Sequence, residues 1–162
     1  MNTPTAYHQL GKFIVNFQHL EDTVTNLLVM MSNTDDEAVR ILVNDLEYSK
    51  RLKTADVLFA RFVDLRNNTD VAAKEKFHNL IVELDKLGTR RNELVHSRYS
   101  PWLNIHGKEG LLRTNSKLSG KNCEREEKEE KLQPEAFNGD LQRLAAAANA
   151  LEKFRLQVID WL

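Results

Sequence analysis

The segment Leu87-Gly-Thr-Arg-Arg-Asn-Glu-Leu-Val-His-Ser-Arg-Tyr99 carries three side chains, Arg91, Asn92 and His96, whose chemistry a plain helical scaffold does not need. An imidazole titrates near neutrality and can take or give a proton, and a guanidinium presents a planar fork to a phosphate. Asn92 and His96 stand four apart and so share a face if the segment is helical, and Tyr99, seven beyond Asn92, continues the line. Arg91 is singled out by the apolar rhythm. Steps of three and four from Leu84 and Leu87 land on it before they reach Leu94 and Val95, so a charge occupies a position that the period assigns to the interior. Arginine is rarely buried without a partner. Arg90, about 100° further round the helix, is expected to snorkel to solvent. Lys86, Arg90 and Arg98 add local positive charge, which makes them, with Tyr99, the weaker candidates for substrate binding. An Arg and a His at this spacing carry little weight alone, and a structural arginine beside a helix-capping histidine is the competing reading.

These residues must be positioned by helices. From Tyr7 the apolar residues Leu10, Phe13, Ile14, Phe17, Leu20, Val24, Leu27, Leu28 and Met31 draw one stripe along a long first helix. Thr34 and Glu37 have capping-box spacing for a second, shorter helix carrying Ala38, Ile41, Leu42 and Leu46. A third shows Leu52, Ala55, Leu58, Phe59, Phe62 and Val63 and stops in the turn-prone Asn67-Asn68-Thr69-Asp70. The fourth has Phe77, Leu80, Ile81, Leu84, Leu87, Leu94 and Val95 on its inner face and is expected to end just before Ser100-Pro101. Past Pro101 the glycines at 107, 110 and 120 break the helical period around two short apolar pieces, Trp102 to Ile105 and Leu111-Leu112, where a small hairpin fits. Lys121 to Lys131 holds no large apolar residue and reads as a solvated loop or frayed helix. Pro134 then opens a last helix with Phe137, Leu141, Leu144, Ala148, Leu151, Phe154, Val158 and Trp161. The expected architecture is one all-α domain over 1–162, an up-and-down bundle of about five helices with a hairpin or loop insertion at about 100–133.

Composition narrows the function classes. With 162 residues, 41% hydrophobic and 29% charged, the chain is long enough for one core that needs no disulfide or structural metal. A net charge of −1 excludes the global positive field of a non-specific nucleic-acid coat, so any polyanion must be met by a local patch. One cysteine, Cys123, excludes an internal disulfide and a cysteine-clustered metal site. No apolar run approaches a membrane span and no signal pattern opens the chain, so a cytoplasmic protein is expected. Glu75-x-x-His78 and Glu93-x-x-His96 have di-iron spacing but lie on one helix about 27 Å apart, so they cannot share a metal pair. His8, His19 and His106 lack partners at ligand spacing, and His106 beside Gly107 suits a turn. Neither a metal nor a cofactor is expected. Lys50, Arg51 and Lys53 fit a solvated helix start or an extended RNA surface, and Trp102 fits an apolar anchor or a base-stacking platform. Gly88, costly inside a helix, permits either close approach of a second copy or close packing within the chain.

The trio Arg91, Asn92 and His96 resembles the motif of the HEPN (higher eukaryotes and prokaryotes nucleotide-binding) domains, all-helical modules whose ribonuclease members carry an Arg, a polar residue, and a His four to six positions after the Arg. The plan of the chain is similar too, with a long first helix bearing a central acidic residue, here Glu21, and the motif late in a following long helix. Some members place a Tyr two residues after the His; here Arg98 stands there and Tyr99 follows. The resemblance implies a metal-independent endoribonuclease. Such cleavage needs a base for the 2′-hydroxyl proton, a cation for charge on the phosphate and an acid for the leaving 5′-oxygen. One motif supplies part of this set, so a homodimer with a composite cleft is implied, with His96 as acid or base, Arg91 on the phosphate and Asn92 orienting His96 or the substrate. The family's frequent role in toxin–antitoxin or antiviral-defence systems implies a neutralising or regulatory protein partner. The other functional reading is a non-catalytic module that binds a nucleotide, RNA or a partner protein in the same cleft, and a plain helical adaptor would leave Arg91 unexplained.

Overall fold

The computed structural model describes residues 3–162. Five α-helices and a three-stranded antiparallel sheet follow one another as α1 (Ala6–Ser32), α2 (Asp36–Val43), α3 (Tyr48–Asp64), α4 (Ala73–Val95), β1 (Arg98–Leu103), β2 (Glu109–Ser119), β3 (Glu124–Leu132) and α5 (Asn138–Trp161), the last entered through a single 3₁₀ turn over Pro134–Phe137. The four long helices pack in the cyclic order α1, α3, α4, α5, with α2 laid against α1. Their apolar stripes converge on one core. Phe59 of α3 stacks on Phe77 of α4 with centroids 4.1 Å apart, and Phe154 of α5 sets its edge against both rings at 5.5 and 5.2 Å. Leu111 and Leu132 join the same core from the sheet.

The local chemistry explains where elements begin and end. Thr5 caps α1 by accepting from the His8 N–H, and Asn33, at φ 46°, closes it in the left-handed conformation that asparagine tolerates. Asp35 rather than Thr34 caps α2, accepting from the Ala38 N–H at 3.3 Å. The inner face of α2 is correspondingly Val39 and Val43, while Ile41 and Leu42 are 67% and 78% exposed. In α5 the buried alanine is Ala147, and Ala148 faces solvent.

The all-α expectation is corrected by the sheet. All of 98–132 apart from its turns is strand, and the anticipated short hairpin is β1 paired with β2 from Arg98↔Thr114 to Leu103↔Glu109. His106 sits in its turn, its N–H donating to Asn104 Oδ1. The charged run expected as a loop or frayed helix is β3, paired residue for residue with β2 from Leu111↔Leu132 to Ser119↔Glu124. It escapes a period-2 reading because it is an edge strand with charge on both faces: one row is solvated, and Glu130 on the other turns toward buried arginines. Gly110 is required beside this strand, since a Cβ there would lie 2.7 Å from the Leu132 carbonyl oxygen.

No helix among the described residues is long and apolar enough to cross a membrane.

Candidate functional site

A cleft of about 550 Å³ opens between the start of α3 and the second half of α4, and Arg91, Asn92 and His96 all line it. On α4 the wall is a polar stripe, Asp85, Thr89, Asn92 and His96, at steps of four, three and four. Facing it, Glu47, Tyr48 and Ser49 form the first turn of α3. His96 is the C-cap residue of α4; its backbone N–H still donates to the Asn92 carbonyl, so the ring is projected from the last hydrogen-bonded turn.

Arg91 is held from the far side of the bundle. Its Nη2 donates to Oε1 of Glu21 at 3.2 Å, and its guanidinium lies over the Phe17 ring at 5.0 Å. Both Glu21 and Phe17 belong to α1. The bond to Glu21 is the only hydrogen bond the guanidinium makes among the described residues, and Nε is buried with no partner. The unbonded N–H donors of the terminal nitrogens are therefore available to an anion in the cleft, which Arg91 lines.

The cleft floor depends on Gly88. The Tyr48 ring sits directly on it, and a Cβ at Gly88 would fall 2.5 Å from Tyr48 Cε1. The Tyr48 hydroxyl donates to the Leu84 carbonyl at 2.7 Å, and burial, with the nearby Glu21 and Asp85 charges, pushes its phenol well above its ordinary pKa. Tyr48 is thus a fixed wall. Of the two roles open to Gly88, the structure shows close packing within the chain.

The four weaker candidates lie elsewhere. Arg90 does not snorkel outward: its side chain is 16% exposed against 27% for Arg91, so the more deeply placed arginine is the one expected outside. Arg90 binds Asp140 through Nε at 3.0 Å and Glu130 through both terminal nitrogens at 3.0 and 3.2 Å, with Glu93 at 3.3 Å. Burial opposes its charge, but the bonds from Glu130 and Asp140 outweigh this and hold its pKa above the usual range. A guanidinium so engaged is a structural clamp joining α4, β3 and α5. Lys86 pairs with Glu83 on the exposed side of α4, and Arg98 lies exposed on β1. Tyr99 does not continue the line of Asn92 and His96, because α4 stops at Val95. Its hydroxyl instead donates to the Leu94 carbonyl at 2.6 Å and ties β1 to the helix end.

His78 pairs through Nδ1 with Asp56 at 2.6 Å, and Trp102 is partly buried with the Lys131 ammonium over its ring. Arg51 is used within the chain, reaching Thr25 and the Asn44 carbonyl, whereas Lys50 and Lys53 are exposed.

Sequence reasoning missed the facing wall and the clamp. Glu47, Tyr48 and Ser49 gave no periodic signal, but Asp85 and Thr89 were findable by running the Asn92–His96 stripe backward. Arg113, buried on β2, donates to Glu130 at 2.8 Å and to Ser97 Oγ at 2.9 Å; its signal was its place two residues after Leu111, on the inward face of a strand.

Comparison with protein-family models, curated proteins and solved structures finds no match to this chain. Functional assignment therefore stands on the cleft itself.

Proposed function

We propose that this protein is a metal-independent endoribonuclease of HEPN type, acting in the cytoplasm as a homodimer whose two clefts face one another, and serving as a toxin or defence effector restrained by a protein partner. The observation that supports this reading is the convergence of Arg91, Asn92 and His96 on one open cleft, with Arg91 oriented by Glu21 and its other donors unengaged. In the proposed reaction the His96 imidazole of one protomer takes the proton of the 2′-hydroxyl as its oxygen bonds to phosphorus. The bond from phosphorus to the 5′-oxygen breaks, and that oxygen takes a proton from the imidazolium of the partner's His96. The products are a 2′,3′-cyclic phosphate and a 5′-hydroxyl. Arg91 bears the charge that builds on the phosphate oxygens, and Asn92 orients His96 or the ribose.

The test is incubation of end-labelled total RNA and defined single strands with the wild type, His96→Ala and Arg91→Ala, with and without EDTA, beside the mass of each protein in solution. Cleavage by a dimer that survives EDTA and is lost in both variants supports the reading. Cleavage unchanged in His96→Ala refutes the site. A wild type that cleaves nothing turns the balance to the second reading, a module that binds a nucleotide, RNA or a partner protein without cutting, which the same open cleft also suits.

A further inference from the structure

The cleft is chemically two-ended. Arg91, Asn92 and His96 lie toward the C-terminus of α4; Asp85 lies two turns earlier on the same stripe, about 10 Å along the axis from Asn92, with Glu47 across from it at the start of α3. A phosphate suits the first end, and the carboxylates repel it from the second. Among the described residues neither carboxylate has a hydrogen-bond or ion-pair partner. Glu47 is the N-cap residue of α3 yet its side chain caps nothing, and Lys86, next to Asp85, pairs with Glu83 instead. Both side chains are exposed to the cleft and act only as hydrogen-bond acceptors when ionised.

We infer that the Glu47–Asp85 end of the cleft reads a guanine base, so that the protein selects guanosine nucleotides in RNA. The inference rests on the cleft being a nucleotide or RNA site. A carboxylate offers two parallel acceptors, and guanine is the base whose Watson–Crick edge presents two adjacent donors, N1–H and the 2-amino group. Adenine and cytosine each set a ring-nitrogen acceptor beside their amino group, and uracil flanks its single N–H with two carbonyls, so each turns lone pairs toward a carboxylate oxygen. That mismatch discriminates against the other bases, because the carboxylate oxygen gives up a water that donated to it and is left facing another acceptor. The phosphate on Arg91 and His96 and the base on Asp85 and Glu47 would lay one nucleotide along the α4 stripe. Ser49 and Thr89, which donate or accept, suit the sugar between them.

The experiment is calorimetric titration of the full chain with 5′-GMP, 5′-IMP, 5′-AMP, 5′-CMP and 5′-UMP at fixed salt, for the wild type, Glu47→Gln, Asp85→Asn, the double variant and Arg91→Ala, with RNA cleavage followed separately. GMP is expected to bind about tenfold tighter than AMP, with IMP, which lacks the 2-amino group, between them. Asp85→Asn replaces two acceptors with a donor and an acceptor and should move the preference toward AMP, whereas Arg91→Ala should weaken all five alike. Equal affinity for the nucleotides, no binding of any of them, or a GMP preference intact in the double variant overturns the inference. RNA cleavage that shows no preference for guanosine, beside equal nucleotide affinities, leaves the ribonuclease reading standing while this one falls. Selective GMP binding by a protein that cleaves no RNA does the reverse.

Discussion

Glu21, in the middle of α1, and Arg91, near the end of α4, meet at 3.2 Å across the bundle although 70 residues separate them; both are 27% exposed, and Arg91 lines the cleft. Such a pair is too wet to contribute much to stability, and its effect is on direction: it fixes where the guanidinium points. Glu21→Ala is therefore expected to lower single-turnover RNA cleavage about tenfold, with melting temperature nearly unchanged, and Glu21→Gln, which still accepts from Nη2, to recover most of the loss. Equal rates for wild type and Glu21→Ala would show that Arg91 needs no such support.

Gly88 illustrates a position where helix propensity and packing oppose each other. On an open helix Gly→Ala gains about 1 kcal/mol, but here the new methyl meets the Tyr48 ring, which the bond to the Leu84 carbonyl holds in place. Gly88→Ala is expected to destabilise the fold by about 1–3 kcal/mol in urea denaturation, the usual range for overpacking. Adding Tyr48→Ala should reverse the sign of the Gly88→Ala effect. A stabilised single variant would mean that the ring is not seated there.

The two adjacent arginines are held differently, Arg90 by three carboxylates and Arg91 by one. Arg90→Met strands Asp140, leaves Glu130 with Arg113 alone and is expected to cost about 3 kcal/mol of stability, while Arg91→Met leaves stability nearly intact and abolishes cleavage. Burial pushes the Glu130 carboxyl up, but the bonds from Arg90 and Arg113 more than offset this and hold it below the usual carboxylate range. A group depressed in the folded state contributes stability that is present above its unfolded pKa, roughly 4.3, and is lost as pH falls through the folded value. The sheet should thus loosen from α4 only in acid, below about pH 4.3, and Glu130→Gln should remove that part of the acid dependence. An acid transition identical in wild type and Glu130→Gln would place the titrating group elsewhere.

The helices were legible because buried stripes repeat at three and four residues, and Phe13, Phe59, Phe77 and Leu151 fall where that rhythm puts them. The trio at the site was legible for a related reason: Arg91 interrupts the rhythm, and Asn92 and His96 sit on one face. Of the sheet only the β1–β2 hairpin was legible, because β3 draws its stability from the backbone ladder with β2 and from Glu130, neither of which leaves an apolar period. The same gap misassigned Arg90. A helical wheel places it toward solvent, and what covers it is Glu130 on a strand that the composition hid and Asp140 fifty residues away. Tyr99 was misplaced for a local reason, since α4 ends one turn before the proline rule alone requires.

The most direct test of the proposed chemistry is the identity of the new ends when a defined single-stranded RNA is cut, read by mass spectrometry for the wild type and for His96→Ala in the presence of EDTA. Cleavage by His96 and Arg91 through the ribose 2′-hydroxyl predicts a 5′-hydroxyl on one fragment and a 2′,3′-cyclic phosphate on the other, and neither fragment with His96→Ala. A 5′-phosphate paired with a 3′-hydroxyl, or the same fragments from His96→Ala, would contradict it.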